Sequence, residues 1–155
     1  MTYTEQCAPL IRHIHCAMEK EANNKLREMD LTVSQIYLLQ ALNHAPGGTH
    51  ALTLKELERQ LQIGQSTTVG LVQRLQKKDF VTCTQGVDDK RIKIVALTTA
   101  GESICQEAES HMVCVFDHMS EGLSEDEKKI LLTLLRRVQQ NFIPNRDSKM
   151  NLENI

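Results

Sequence analysis

The side chains able to carry chemistry here are five cysteines, six histidines and a run of cations between residues 74 and 93. Thiolates and imidazoles can act as nucleophile and base, or ligate a soft metal. His111, Cys114 and His118 have the spacing for ligation, falling within about 60° of one another on a 3.6-residue helix. Three such groups on a polar edge are more often solvated, and no metal is expected. The cysteines are irregularly spaced with no CxxC pair, against both a disulfide framework and a zinc ribbon. An odd number reads as free thiols. There is no Gly-rich phosphate loop, HExxH or GxSxG, so neither an enzyme nor a cofactor is expected.

The cations point elsewhere. From Arg74 to Lys93 there are six basic residues (Arg74, Lys77, Lys78, Lys90, Arg91, Lys93) and three acidic ones (Asp79, Asp88, Asp89), a net of +3. From Glu102 to Lys128 the net is −7, from eight acidic residues and one basic. The total of −2 over 155 residues hides this division. Affinity for a nucleic acid depends on local phosphate contacts, each releasing counterions, so the basic run outweighs the total charge.

The elements that position these groups are written in the local pattern. With 41% apolar, 25% charged and 3% aromatic residues, the chain reads as one mainly helical domain with helical extensions. No apolar run approaches the ~18 residues of a membrane span, and Met1–Glu5 lacks a signal pattern, so a cytoplasmic protein without membrane contact is expected. Four capping boxes open apolar stripes: Thr32 with Gln35, Thr53 with Glu56, Thr99 with Glu102, and Ser124 with Glu127.

A first helix is predicted over about residues 5–29, with Leu10, Ile11, Ile14 and Met18 on one face. A second, 33–44, ends at the breaker Ala45-Pro46-Gly47-Gly48. A short third helix, 54–61, is followed by the turn Gln62-Ile63-Gly64 and a fourth helix over about 65–78, with Thr68, Leu71, Val72 and Leu75 inward. The period then becomes extended. Residues 80–84 and 91–97 flank a polar tip and predict a β-hairpin. Two long helices follow, one with Ile104, Ala108, Met112, Val115 and Met119, the other with Ile130, Leu131, Leu134, Leu135, Val138 and Phe142. Helix, tight turn, helix and two-stranded wing make a winged helix-turn-helix. It occupies 32–97, with dimerisation helices at 1–31 and 98–143 and a flexible tail over 144–155.

The stretch Leu52–Glu102 resembles the MarR family of bacterial transcription regulators. The similarity rests on LTLKELERQLQIGQSTTVGLVQRLQKKDFV followed by DDKRIKIVALTTAGE. Its most specific parts are the Asp89-x-Arg91 pair and the Leu97-Thr98-x-x-Gly101 junction. The resemblance implies a homodimer, its subunits intertwined through their outer helices, binding double-stranded DNA at a pseudo-palindromic operator, as a repressor. It makes Gln65, Ser66, Thr67, Val69, Gly70 and Gln73 the outward face of the recognition helix. Glutamine amides can read adenine, and valine methyls can meet thymine. Arg74 and Lys77 are better placed for phosphates, with Lys90 in the wing. Arg91 matches the family's minor-groove arginine, and Asp89 would orient it or simply form the turn.

Four positions depart from the family pattern: Gly64 where a capping Ser is common, Gly70 for a larger residue, Asp79 for Gly, and Cys83 for Arg. Three controlling signals are compatible with the resemblance. Cys7 lies near the reactive cysteine of the peroxide-sensing branch, although a thiol on an apolar stripe is more often a buried hydrophobe. A metal could use the His111 edge. A small lipophilic or phenolic effector between the helices and the winged unit is the default. The contrasting class is a winged-helix module that contacts only proteins.

Overall fold

The computed structural model describes residues 2–142. The predicted tail over 144–155 lies outside them, as does residue 143. The chain divides into two compact units, Met1–Val115 and Phe116–Ile155, and each is described by itself.

The first unit opens with α1, Tyr3–Leu26, started by a capping box between Thr2 and Glu5 that the sequence reading did not find. A 3₁₀ turn, Arg27–Met29, then replaces the last predicted turn of that helix. Helix α2, Val33–Asn43, has the predicted Thr32–Gln35 box at its start. Gln35 is buried, and its Oε1 satisfies the Thr32 backbone N–H at 3.0 Å. After a 3₁₀ turn at Pro46–Gly48 come β1, Ala51–Thr53, α3, Leu54–Leu61, and α4, Gln65–Lys77. Strands β2, Val81–Gln85, and β3, Lys93–Leu97, lead into α5, Thr99–Met119.

The wing is not two-stranded. β1 adds to it as a third antiparallel strand in the order β1-β3-β2, with Leu52 opposite Val95 and Cys83 opposite Val95 from the other side. Three residues are too few to show alternation, so only proximity to β3 makes this segment a strand. The sheet turns Leu52, Val81 and Val95 into a core with Leu26, Ile36, Leu39, Leu42, Leu57 and Leu75. Cys105, Ala108, Met112 and Val115 of α5 belong to the same core.

The start of α5 also corrects the prediction. Thr99 is its first helical residue, and the cap is Thr98, whose hydroxyl accepts from the Gly101 N–H at 3.0 Å. The expected Thr99–Glu102 box gives way because Thr98 is already tied to the base of the wing: its N–H donates to the Phe80 carbonyl and its hydroxyl to the Asp79 carbonyl.

In the second unit α6, Glu125–Gln140, starts at the predicted Ser124–Glu127 box. None of its residues is buried; Ile130, Leu134, Leu135 and Val138 are 44–58% exposed. Most of α1 is similar, with buried residues only at Ala22 and Leu26.

Candidate nucleic-acid interface

The reading helix is positioned by α3 and the turn before it. Thr53 and Glu56 close the start of α3, and Leu57 anchors its inner face. Hydrogen bonds from the Thr53 backbone N–H and hydroxyl hold the Glu56 carboxyl below the usual glutamate range. Gln62 ends the helix in the left-handed region at φ 52°, its N–H returning to the Glu58 carbonyl. Gly64 then opens α4 with no side-chain cap, as its departure from the family pattern implies.

Within α4, Thr68, Leu71, Val72 and Leu75 are the buried residues, the four the sequence turns inward. Thr68 makes burial of its hydroxyl tolerable by donating to the Gly64 carbonyl at 3.1 Å. This fixes the rotation of the helix. Gln65, Ser66, Thr67, Gln73, Arg74 and Lys77 are exposed, while Val69 and Gly70 are half-buried. A Cβ added at Gly70 would meet nothing within 4 Å, so the surface there is an open notch.

The wing tip is closed by three short-range bonds. The Gly86 N–H donates to the Ile92 carbonyl at 2.8 Å, and Ile92 N–H to the Asp89 carbonyl at 3.1 Å. Asp89 Oδ1 accepts from the backbone N–H of Arg91 at 2.8 Å. Asp89 thus bends the backbone that carries Arg91, which is the turn-forming contact. A Cβ at Gly86 would stand 2.8 Å from the Asp89 oxygen, which explains glycine at this place. Lys90 and Arg91 are exposed on the tip.

At the wing's base the junction residues acquire a physical reason. Thr98 Oγ1 donates to the Asp79 carbonyl at 2.6 Å while accepting from Gly101. A Cβ at Gly101 would come within 2.0 Å of the Phe80 oxygen, so α5 can begin here only on a glycine. Asp79 has φ 59°, the conformation that favours the glycine it replaces.

The thiols do not gather. Cys7, Cys16 and Cys114 are exposed and Cys83 is half-buried. Cys7 is exposed together with Leu10, Ile11 and Ile14 of its apolar stripe in the single subunit. Cys105 is the buried one, its thiol pushed up to about 11 by burial, with a smaller push from Glu109. It stays protonated and unreactive at neutral pH. Cys114 Sγ lies 3.6 Å from the Ser110 carbonyl, and among the described residues no three His, Cys, Asp or Glu converge to hold a metal ion. None of the described helices is long and apolar enough to cross a membrane.

A sequence model of the MarR family matches residues 29–92, which run from the end of the first 3₁₀ turn to the wing. The HTH-type transcriptional regulator SarZ of Staphylococcus saprophyticus is 30% identical over 126 residues, spanning 79% of this chain and 84% of SarZ. The chain belongs to the MarR family. SarZ of Staphylococcus aureus is likewise 30% identical, over 124 residues. Among solved structures, a cysteine-to-serine variant of E. coli MarR complexed with operator DNA superposes with a TM-score of 0.76. It is 25% identical, over 89% of this chain and 99% of that one. BpsR of Bordetella bronchiseptica, described in terms of regulation of its DNA binding by 6-hydroxynicotinic acid, is 22% identical. It has a TM-score of 0.78 over 90% of this chain and 96% of its own, a likeness of fold alone. This MarR-family chain is a winged helix-turn-helix transcription regulator.

Two features of the interface escaped the sequence reading. One is β1, already described. The other is the partner of Lys78, a residue the sequence reading counted only in the basic charge of this segment; its ammonium is engaged by Asp30. Nothing local signals a pairing across 48 residues.

Proposed function

We propose that this regulator binds a pseudo-palindromic operator as a homodimer and represses transcription from it. Helix α4 enters the major groove with Gln65, Ser66, Thr67, Val69, Gly70 and Gln73 toward the base edges. Arg74 and Lys77 bind phosphates. Lys90 and Arg91 carry the wing to the backbone and minor groove, where a guanidinium is strongly attracted. The observation that carries this reading is the exposed polar face of α4, held in rotation by buried Thr68, Leu71, Val72 and Leu75 beside a closed cationic tip. Support also comes from the operator-bound relative of similar fold.

The dimer reading, with the helices of 1–31 and 98–143 as its interface, is supported by the uncovered stripes of α1 and α6. Leu10, Ile11 and Ile14 are each at least half exposed. Contiguous apolar faces of this kind are costly in water and mark association surfaces.

The test is selection of duplexes from a random pool, followed by a gel shift at several salt concentrations. Specific, salt-sensitive binding is expected. Failure to bind at low salt overturns the reading in favour of a module that contacts only proteins. Arg91→Glu should weaken operator binding by about a hundredfold, since it loses a favourable charge and adds a repulsive one. Unchanged affinity would remove the wing from the mechanism.

Control by a small effector or an oxidant completes the proposal. Each acts by biasing the spacing of the two recognition helices. Cys7 carries its thiol on the α1 stripe assigned above to the dimer interface, where oxidation would disturb the subunit contact. Peroxide should then release DNA from the wild type and not from Cys7→Ser, and equal release from both would leave the small effector.

A further inference from the structure

Recognition depends on α4 being presented at a fixed angle, and its far end is tied down on two sides. Immediately after the helix, Lys78 reaches the corner between α1 and α2. Its Nζ lies 3.0 Å from Asp30 Oδ2 and also donates to the Asp30 backbone carbonyl. Asp30 holds the left-handed conformation, φ 52°, that turns the chain from the 3₁₀ segment toward α2. The next residue, Asp79, accepts the Thr98 hydroxyl bond at the start of α5. Two consecutive residues therefore bolt the end of the reading helix to the elements on either side of the winged unit.

The Lys78 side chain is only 25% exposed, whereas that of Asp30 is 93% exposed. Such a pair contributes little to overall stability, because its acidic partner stays solvated. Its consequence is geometric: a cation at the end of a helix, held by a carbonyl and a carboxylate, resists both tilt and rotation. An ammonium engaged in this way has committed two of its three donors to the protein, and only 25% of the side chain is left exposed to meet a phosphate. Resting on the DNA-binding reading above, we propose that Lys78 is a positioning residue, a strut locking the recognition helix to the α1–α2 corner, and not a phosphate contact. Asp30, although acidic, then favours DNA binding.

This sets the strut apart from ordinary electrostatics in sign as well as size. Operator duplexes selected by the wild type are titrated with Lys78→Met, Asp30→Asn and Lys77→Gln over a range of salt. Asn tolerates the left-handed backbone, so Asp30→Asn keeps the corner intact. Lys78→Met and Asp30→Asn should each weaken binding roughly threefold or more. The slope of log affinity against log salt should stay at the wild-type value for both. Lys77→Gln should make that slope shallower by about 0.9.

A shallower slope in Lys78→Met, or no loss of affinity, overturns the strut. So does tighter or unchanged binding by Asp30→Asn, the outcome expected if removing a negative charge were all that mattered. Should Lys78→Met fail to fold, Asp30→Asn decides alone. If the wild type selects no duplex, the DNA-binding reading fails first and the strut with it; a binding wild type with indifferent variants removes only the strut.

Discussion

Between residues 51 and 97 the apolar side chains close on one another, whereas along α1 and α6 they face outward. In the winged region Leu52, Leu57, Leu71, Val72, Leu75, Val81 and Val95 are buried, and apart from Val87 and Ile92 at the wing tip what remains outside is mainly polar. In α6 nothing is buried, and the exposed face is leucine, isoleucine and valine. A finished core with a polar face suits a hydrated, charged partner such as DNA. An unfinished apolar face suits a second apolar face. The contrast separates two tasks within one chain, and it can be broken from either side.

The largest effect is expected from the outer helices. Leu134→Glu combined with Leu135→Glu keeps helix propensity but puts two charges on the α6 stripe. The dimer should weaken by about a thousandfold, roughly 4 kcal/mol, from lost apolar burial. Sedimentation would then find monomers where the wild type associates; a persisting dimer would assign the interface elsewhere.

Next in size is Gly101→Ala. The added methyl meets a backbone oxygen at 2.0 Å, which no rotamer can relieve. Separation of α5 from the wing base should cost about 3 kcal/mol, read as a fall in Tm. An unchanged Tm would mean that the junction is soft and that the winged core does not depend on it.

Two smaller changes should stabilise the winged region. Gly70→Ala removes the propensity cost of glycine, about 1 kcal/mol, and meets no neighbour within 4 Å. Operator affinity should nevertheless fall, because the added methyl fills the notch that faces the base edges; a gain in both would place Gly70 clear of DNA. Asp79→Gly relieves a left-handed aspartate and should add about 1 kcal/mol without altering DNA binding. Denaturant melts and gel shifts separate the two outcomes.

The smallest effect is on pH. The Glu56 carboxyl is held below its ordinary value by Thr53, so its contribution is present above about pH 4.3, the unfolded value. It is lost as pH falls through the lower folded value. In Glu56→Gln the amide oxygen still caps but cannot titrate. Its Tm should therefore fall less than that of the wild type on acidification below about pH 4.3. Parallel curves would show that other carboxylates dominate acid unfolding.

Several of these residues were legible in the sequence, and others were not. Gly101 stood out in the junction pattern, but its reason, the Phe80 carbonyl, lies in another strand. Gly70 and Asp79 were visible as departures, and the structure supplied an open notch for one and a positive φ for the other. The capping pattern placed α2, α3 and α6 correctly, because a cap is a bond between residues three apart. At α5 the same pattern chose Thr99, which has Glu102 three residues on, whereas the cap is Thr98, selected by its contact with Asp79 at the base of the wing.

By itself the sequence determined the order of helices and hairpin, the inward face of α4 and the basic character of the reading unit. Each follows from periodicity or charge within a few residues, where the chain's own geometry dictates who is near whom. The tertiary structure alone decided that β1 completes the sheet and that Cys105 is the shielded thiol within the subunit. It alone paired Lys78 with Asp30. These depend on encounters between segments tens of residues apart, and no local pattern records which surfaces the folded chain will bring together.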